Sequence, residues 1–202
     1  MTSNRLTPPI AAGDHVSGPE DALVTLVEYG DFECVYCRIA HPVVKASKRQ
    51  LGDMLRVAFR HFPLSEIHPH ALLAAQAAEA GAAQGRFWEM HDVLLLYQHA
   101  LKHEDLVGYA QTLGLDVQRV AHELRAGTYA ARVREDIRSG VTSGVNATPT
   151  FFVNGEPYDG SWTDIPSFIR SLRDAAALAL RTRQLDADAS RDPVDARRVG
   201  KR

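Results

Sequence analysis

The first strong pattern along the chain is a short, nearly continuous apolar run, Leu23 to Tyr29, rich in β-branched residues. Such a run predicts a strand buried on both faces. From Cys34 to about Gln50, Val35, Ile39, Val43, Val44 and Ala46 recur at roughly helical spacing, and Gly52 closes the segment. This predicts a helix, with a kink at Pro42. Leu55, Val57 and Phe59 then alternate with Arg56, Ala58 and Arg60 before Pro63, which is the period of a second strand. The chain therefore opens as strand, helix, strand.

From Ser65 to Val141 the pattern is helical throughout. It comprises an alanine-rich piece (Ala71 to Ala83), an aromatic piece (Phe87 to Tyr97) and three amphipathic pieces. Leu106, Tyr109, Ala110 and Leu113 share one face and stop at Gly114; Val117, Val120, Ala121 and Leu124 share another, capped by Asp116; Val133, Ile137 and Val141 mark a third. Phe87, Trp88 and Tyr97 read as helical core, and His68-Pro69-His70 as a capping turn. Strand character returns at Thr150 to Val153, where Asn154-Gly155 predicts a tight hairpin turn into Glu156 to Asp159. Thr163 is the expected cap of a last helix burying Ile165, Phe168, Ile169 and Leu172, with Pro166 in its first turn.

The order β-α-β, about 75 helical residues, then β-β-α predicts an α/β fold with a helical domain inserted between two halves. The expected divisions are an N-terminal arm over 1–20, one domain from 21–64 and 146–184, the insertion over 65–145, and a disordered tail over 185–202. The 202 residues carry a formal net charge of −2, which gives no pull towards nucleic acid. The first ten residues show neither a signal-peptide pattern nor an apolar stretch able to cross a membrane. A cytoplasmic protein without stable membrane insertion is the expectation, if Met1 is the native start.

Only two cysteines occur, as Cys34-Val35-Tyr36-Cys37 between the first strand and the helix. A thiol at a helix N-terminus meets unpaired N–H groups and the positive end of the helix dipole, which favour thiolate. Cys34 is therefore the expected nucleophile, and Cys37, one turn later, the thiol that resolves a mixed disulfide. Half of a zinc site is the rival reading, with ligands drawn from His41, His61, His68 and His70, but there is no second cysteine motif. Two inert buried thiols are a third reading.

The stretches LVEYGDFECVYCR, RHFPL and GVNATPTFFVNG, in that order, resemble the DsbA-like branch of the thioredoxin superfamily over most of residues 14 to 180. The resemblance implies a thioredoxin fold and exchange of disulfides with protein or low-molecular-weight thiol substrates. It also implies no bound cofactor or metal, and a recycling reductase or oxidase as partner. Thr148-Pro149 is similar to the family's cis-proline loop, which presents backbone to substrate beside Val35 and Tyr36; a trans proline opening a strand is the alternative. Glu28 resembles the family's buried acid, able to relay a proton to the resolving thiol, with Arg60 as its expected partner; the alternative is that Glu28 reaches solvent.

Val35 and Tyr36 depart from the strongly oxidising members, which carry proline and histidine there. Asp31 and Glu33 would raise the Cys34 pKa if turned inward. A potential between about −250 and −150 mV follows. Two other functions fit less of the pattern. One is a chaperone-like module whose helical insertion holds unfolded peptides. The other is a glutathione-dependent isomerase of small aromatic substrates, against which Cys37 argues.

Overall fold

The computed structural model describes residues 5–191. Two strands, β2 (Val24–Gly30) and β3 (Leu55–His61), lie parallel at the centre of a sheet because helix α1 (Val35–Leu51) carries the chain back between them. A single 3₁₀ turn, Gly52–Met54, ends that crossover. β4 (Thr150–Val153) runs antiparallel to β2 and continues into β5 (Glu156–Pro157). Asn154 and Gly155 both have positive φ, 51° and 85°, as a two-residue turn with the twist of the strands requires. The hairpin return is shorter than the sequence pattern suggests: β5 covers Glu156 and Pro157, and the last backbone bond to β4 is from Tyr158 N to Phe151 O at 2.9 Å.

The fifth strand lies in the segment expected to be an arm. His15–Ser17 forms β1, antiparallel to β3, giving the order β1-β3-β2-β4-β5. Three half-buried residues are too short a run to show alternation. In β3 every residue from Val57 to His61 is buried, Arg60 included.

Register settles which side chains share a face. Thr25 to Gly30 stand beside Arg56 to His61, so Glu28 is level with Phe59 and Tyr29 with Arg60. One face packs Val24, Leu26, Leu55 and Val57 against Val43 and Val44 of α1 and Phe168, Ile169 and Leu172 of the last helix, α7 (Ile165–Arg191). The other packs Val27, Tyr29 and Ala58 with Phe62, Phe152, Val145 and Leu6.

Between β3 and β4 come α2 (Ala71–Ala82), α3 (Phe87–Leu96), α4 (His103–Thr112), α5 (Val117–Ala126) and α6 (Ala130–Thr142). Asp116 caps α5 as its position suggests, accepting from Arg119 N at 2.9 Å. The apolar cluster of these helices is continuous with Phe32, Cys34, Cys37 and Phe59. Tyr97 and Val141, expected inside, are exposed, since each lies at the last turn or end of its helix.

α7 corrects three expectations. Its cap is Asp164, not Thr163: Asp164 O accepts from Phe168 N at 2.9 Å and its carboxylate accepts from Ser167 Oγ at 2.6 Å. Ile165 in its first turn is exposed. The helix runs on to Arg191, so 185–191 are helical, with Leu185, Ala187 and Ala189 good helix formers; the rest of the expected tail, 192–202, lies outside the described residues.

Buried charge ties β1, β3, α2 and α6 together. Glu79 on α2 accepts at Oε1 from His15 Nε2 (2.8 Å) and His61 Nε2 (3.0 Å), with Arg132 Nε at 3.9 Å. Arg132 pairs with Asp136, whose other oxygen accepts from His61 N at 3.0 Å. Burial raises the Glu79 pKa, but His15 and His61 outweigh it and hold the carboxyl well below its usual range. A depressed carboxyl contributes stability above its unfolded pKa and loses it as pH falls through the folded one. Glu79→Gln should therefore destabilise the protein by about 1 to 3 kcal/mol at neutral pH, with a smaller difference in acid, read from urea unfolding at several pH values.

Candidate active site

β2 ends at Gly30, and the next four residues, Asp31 to Cys34, carry the chain into α1. Cys34 is the residue before the helix and has extended backbone, φ −74° and ψ 120°. Its carbonyl accepts the first helical bond, from Arg38 N at 3.2 Å. The sulfur is left facing the N–H groups that every helix start leaves unpaired. Both cysteines are buried, at 5% exposure for Cys34 and 0% for Cys37, and they are not bridged to each other.

The two thiols experience opposite shifts. A hydrogen bond from Cys37 is the largest influence on Cys34. Together with Thr148 and the N–H groups of Tyr36 and Cys37, it outweighs burial and lowers the Cys34 pKa to about 5. Burial is the first cause acting on Cys37, followed by its bond to Cys34 and by the charges of Glu28 and Cys34, and these push its thiol well above the ordinary value. Asp31 N donates to Cys37 Sγ at 3.4 Å. One sulfur is prepared as a nucleophile and the other holds a proton.

Thr148 reaches the pair because β4 lies antiparallel beside β2, with Thr150 level with Tyr29, so the residues before β4 arrive where β2 ends. Cys34 Sγ–H donates to Thr148 O at 3.2 Å, and the Thr148–Pro149 peptide bond is cis. Thr148 Oγ1 is buried and makes no regular hydrogen bond, which leaves it free to donate to an ionised Cys34. Val35 and Tyr36 stand at the surface, 46% and 59% exposed, within the motif itself.

Glu28 is 3% exposed, so it does not reach solvent, and its Oε1 has no hydrogen-bond partner. Burial first, and the charge of Cys34 second, raise its pKa to about 8. Arg60 is not its partner. Register puts Arg60 beside Tyr29, on the opposite face of the sheet from Glu28. There it binds Asp14 with two nitrogens (2.6 and 3.0 Å), the carbonyls of Pro8 and Pro9, and the Tyr29 hydroxyl. The close approach of Gly30 helps enclose the acid: a Cβ there would lie 2.4 Å from the Phe59 ring and 3.4 Å from Glu28 Oε1.

Asp31 and Glu33 do not act on Cys34 as their sequence position suggested. Asp31 is buried, and its carboxylate accepts from Glu33 N, Leu64 N and His68 Nδ1 (2.7, 2.8 and 2.8 Å). Glu33 accepts from His70 N and Nδ1 (2.7 and 3.0 Å). His68 and His70 do stand at the start of α2, but their rings serve the cysteine loop. Gln98, after α3, was also missed: its Nε2 donates to Phe32 O at 2.9 Å and Cys34 O at 2.8 Å. No sequence signal marks it.

Of the histidines considered for zinc, His61 and His70 bind carboxylates of their own, His68 binds Asp31, and His41 lies 3.4 Å from Asp92. Among the described residues, the side chains that converge closely enough to hold a cation are His15, His61 and Glu79, and His41, His91 and Asp92, both sets without a cysteine.

A sequence family described as thioredoxin matches residues 11–170. The chain belongs to the thioredoxin family. Its fold is DsbA-like: it is similar to oxidised BdbD from Bacillus subtilis (TM-score 0.76, 22% identity, 84% of this chain and 96% of that one). It is similar also to α-DsbA1 from Wolbachia pipientis (0.73, 19%, 90% and 99%) and to MdbA, a thiol-disulfide oxidoreductase from Corynebacterium diphtheriae (0.64, 18%, 79% and 89%). Two curated relatives carry a different name. A Na(+)/H(+) antiporter NhaA 1 of Salinispora arenicola is 44% identical over 93% of this chain, and an NhaA of Herminiimonas arsenicoxydans is 48% identical over 78% of it. The chain spans 28% and 25% of the length of these two proteins.

A carboxyl with a raised pKa favours folding below its unfolded pKa, and that contribution is lost as pH rises through the folded one, here between about 4.5 and 8. At pH 7 Glu28 thus opposes folding relative to a neutral side chain. Glu28→Gln should raise stability at neutral pH by on the order of 2 to 3 kcal/mol and have little effect below pH of about 4, measured by urea denaturation of the reduced protein.

Proposed function

We propose that the protein is a thiol-disulfide oxidoreductase that exchanges disulfides with polypeptide or small thiol substrates. The observation that carries this is the opposite shift of two adjacent sulfurs at the start of α1. In the reduced enzyme the Cys34 thiolate attacks a substrate disulfide, forming a mixed disulfide and releasing one substrate sulfur as thiolate. Cys37 then loses its proton and attacks Cys34 Sγ, releasing the second substrate sulfur and leaving the Cys34–Cys37 disulfide. The ionised form of Glu28, a minority at neutral pH because burial raises its pKa to about 8, takes that proton. The reverse sequence oxidises a dithiol substrate. Pro149 and Thr148 form the rail along which an extended substrate lies, with Val35 and Tyr36 as its exposed neighbours. A partner reductase or oxidase restores the starting state, and its compartment sets the direction.

A Cys34 pKa of about 5 supports a pair of intermediate oxidising power. It lies between the values of about 7 in thioredoxin and about 3.5 in DsbA, and a more stable thiolate makes the disulfide a stronger oxidant. The relatives named as antiporters fit this reading if ion exchange belongs to the other part of those chains. Among the described residues here, no helix is long and apolar enough to cross a membrane.

Equilibration with glutathione buffers should give a potential between about −250 and −150 mV, and Tyr36→His should make it less negative. Cys34→Ser should abolish insulin reduction. Retention of insulin reduction by Cys34→Ser, or a wild-type protein that holds unfolded peptides but reduces no insulin, would overturn the proposal.

A further inference from the structure

The loop Asp31 to Cys34 is held at each residue by groups from after β3. Leu64 N and His68 hold the Asp31 carboxylate, His70 holds Glu33, and Gln98 spans the carbonyls of Phe32 and Cys34. The histidine contacts are made to side-chain carboxylates of the loop. Gln98 is different, since it binds the backbone of the nucleophilic residue from 64 residues away in the chain.

We propose that Gln98 is a positioning residue for Cys34, through which the helical segment sets the geometry and charge balance of the thiolate. This rests on the dithiol reading above. A primary amide has two N–H donors, and one carbonyl is within reach of each. Their negative ends would otherwise lie in the low-dielectric surroundings of an ionised sulfur, where an uncompensated dipole has a large effect. The Cys34 carbonyl also accepts the first bond of α1, so Gln98 fixes the angle at which the helix leaves Cys34. That angle determines how the N–H groups of Tyr36 and Cys37 face the sulfur. Loss of the amide exposes the sulfur to unbalanced carbonyls and loosens its N–H donors. Both effects favour the thiol over the thiolate.

The ionisable groups around Cys34 are Glu28 on β2, Cys37 and Arg38 on α1, Asp31 and Glu33 in the loop with His68 and His70, and His99 beside Gln98. Glu33, Arg38, Leu96, Gln98 and His99 line a cavity of about 330 Å³ at this place. Gln98→Ala leaves all of these charges in place and adds none, so a change at Cys34 in that variant reports the amide itself.

The test is the pH dependence of Cys34 alkylation by iodoacetamide in the full chain, for Gln98→Ala, Gln98→Glu and Gln98→Lys. The midpoint should rise by about one pH unit in Gln98→Ala and further in Gln98→Glu, which cannot donate and adds negative charge. Gln98→Lys, which can still donate, should remain at or below the wild-type midpoint. Midpoints for all three within about 0.2 unit of wild type, even with lowered melting temperatures, would show a purely structural contact and overturn the proposal. If Gln98→Glu does not fold, the opposite behaviour of the alanine and lysine variants decides. Failure of the wild-type protein to exchange disulfides refutes the underlying reading, whereas normal wild-type exchange with unmoved variants refutes the role of Gln98 alone.

Discussion

Two sulfurs of the same residue type, one helical turn apart, are held in environments that favour opposite charge states. Cys34 meets hydrogen-bond donors on several sides: the Cys37 thiol, Thr148 and the open N–H groups of the first helical turn. Cys37 is fully enclosed and faces Glu28. The rest of the fold serves this inequality. β2 delivers the pair to the end of the sheet, α1 supplies the dipole, β4 brings Thr148 alongside, and the helical segment closes over the loop through His68, His70 and Gln98.

A second constraint is the buried charge on the sheet. Arg60 with Asp14, and Glu79 with His15 and His61, join the N-terminal residues to the sheet and to α2. Such groups are tolerated inside because each is paired, and removing one partner leaves the other exposed to the full cost of burial. The segment 5–17 is for this reason part of the folded unit, with Leu6 in the core and β1 at the sheet edge.

Hydrophobic periodicity made the β2, α1 and β3 order legible, along with the helical run, the Asn154-Gly155 hairpin and the cysteine motif, because each is a local property of the chain. What was not legible depends on register or on distant pairing. A carboxylate on β2 and a guanidinium on β3 looked like partners in sequence. A parallel register sends Glu28 and Arg60 to opposite faces, and neither strand discloses that register alone. Asp31 and Glu33 looked like a negative flank for Cys34, yet two histidines more than 30 residues later turn them aside. Gln98 carries no charge and breaks no pattern, so only the folded chain reveals it.

The central claim is that the fold makes Cys34 a thiolate at neutral pH while Cys37 remains protonated. The most direct measurement is the rate of Cys34 alkylation as a function of pH in the reduced protein, with the modified residue identified by mass spectrometry. The account predicts reaction at Cys34 first, with a midpoint near pH 5. A midpoint above about 8, as for an ordinary thiol, or preferential modification of Cys37, would contradict it.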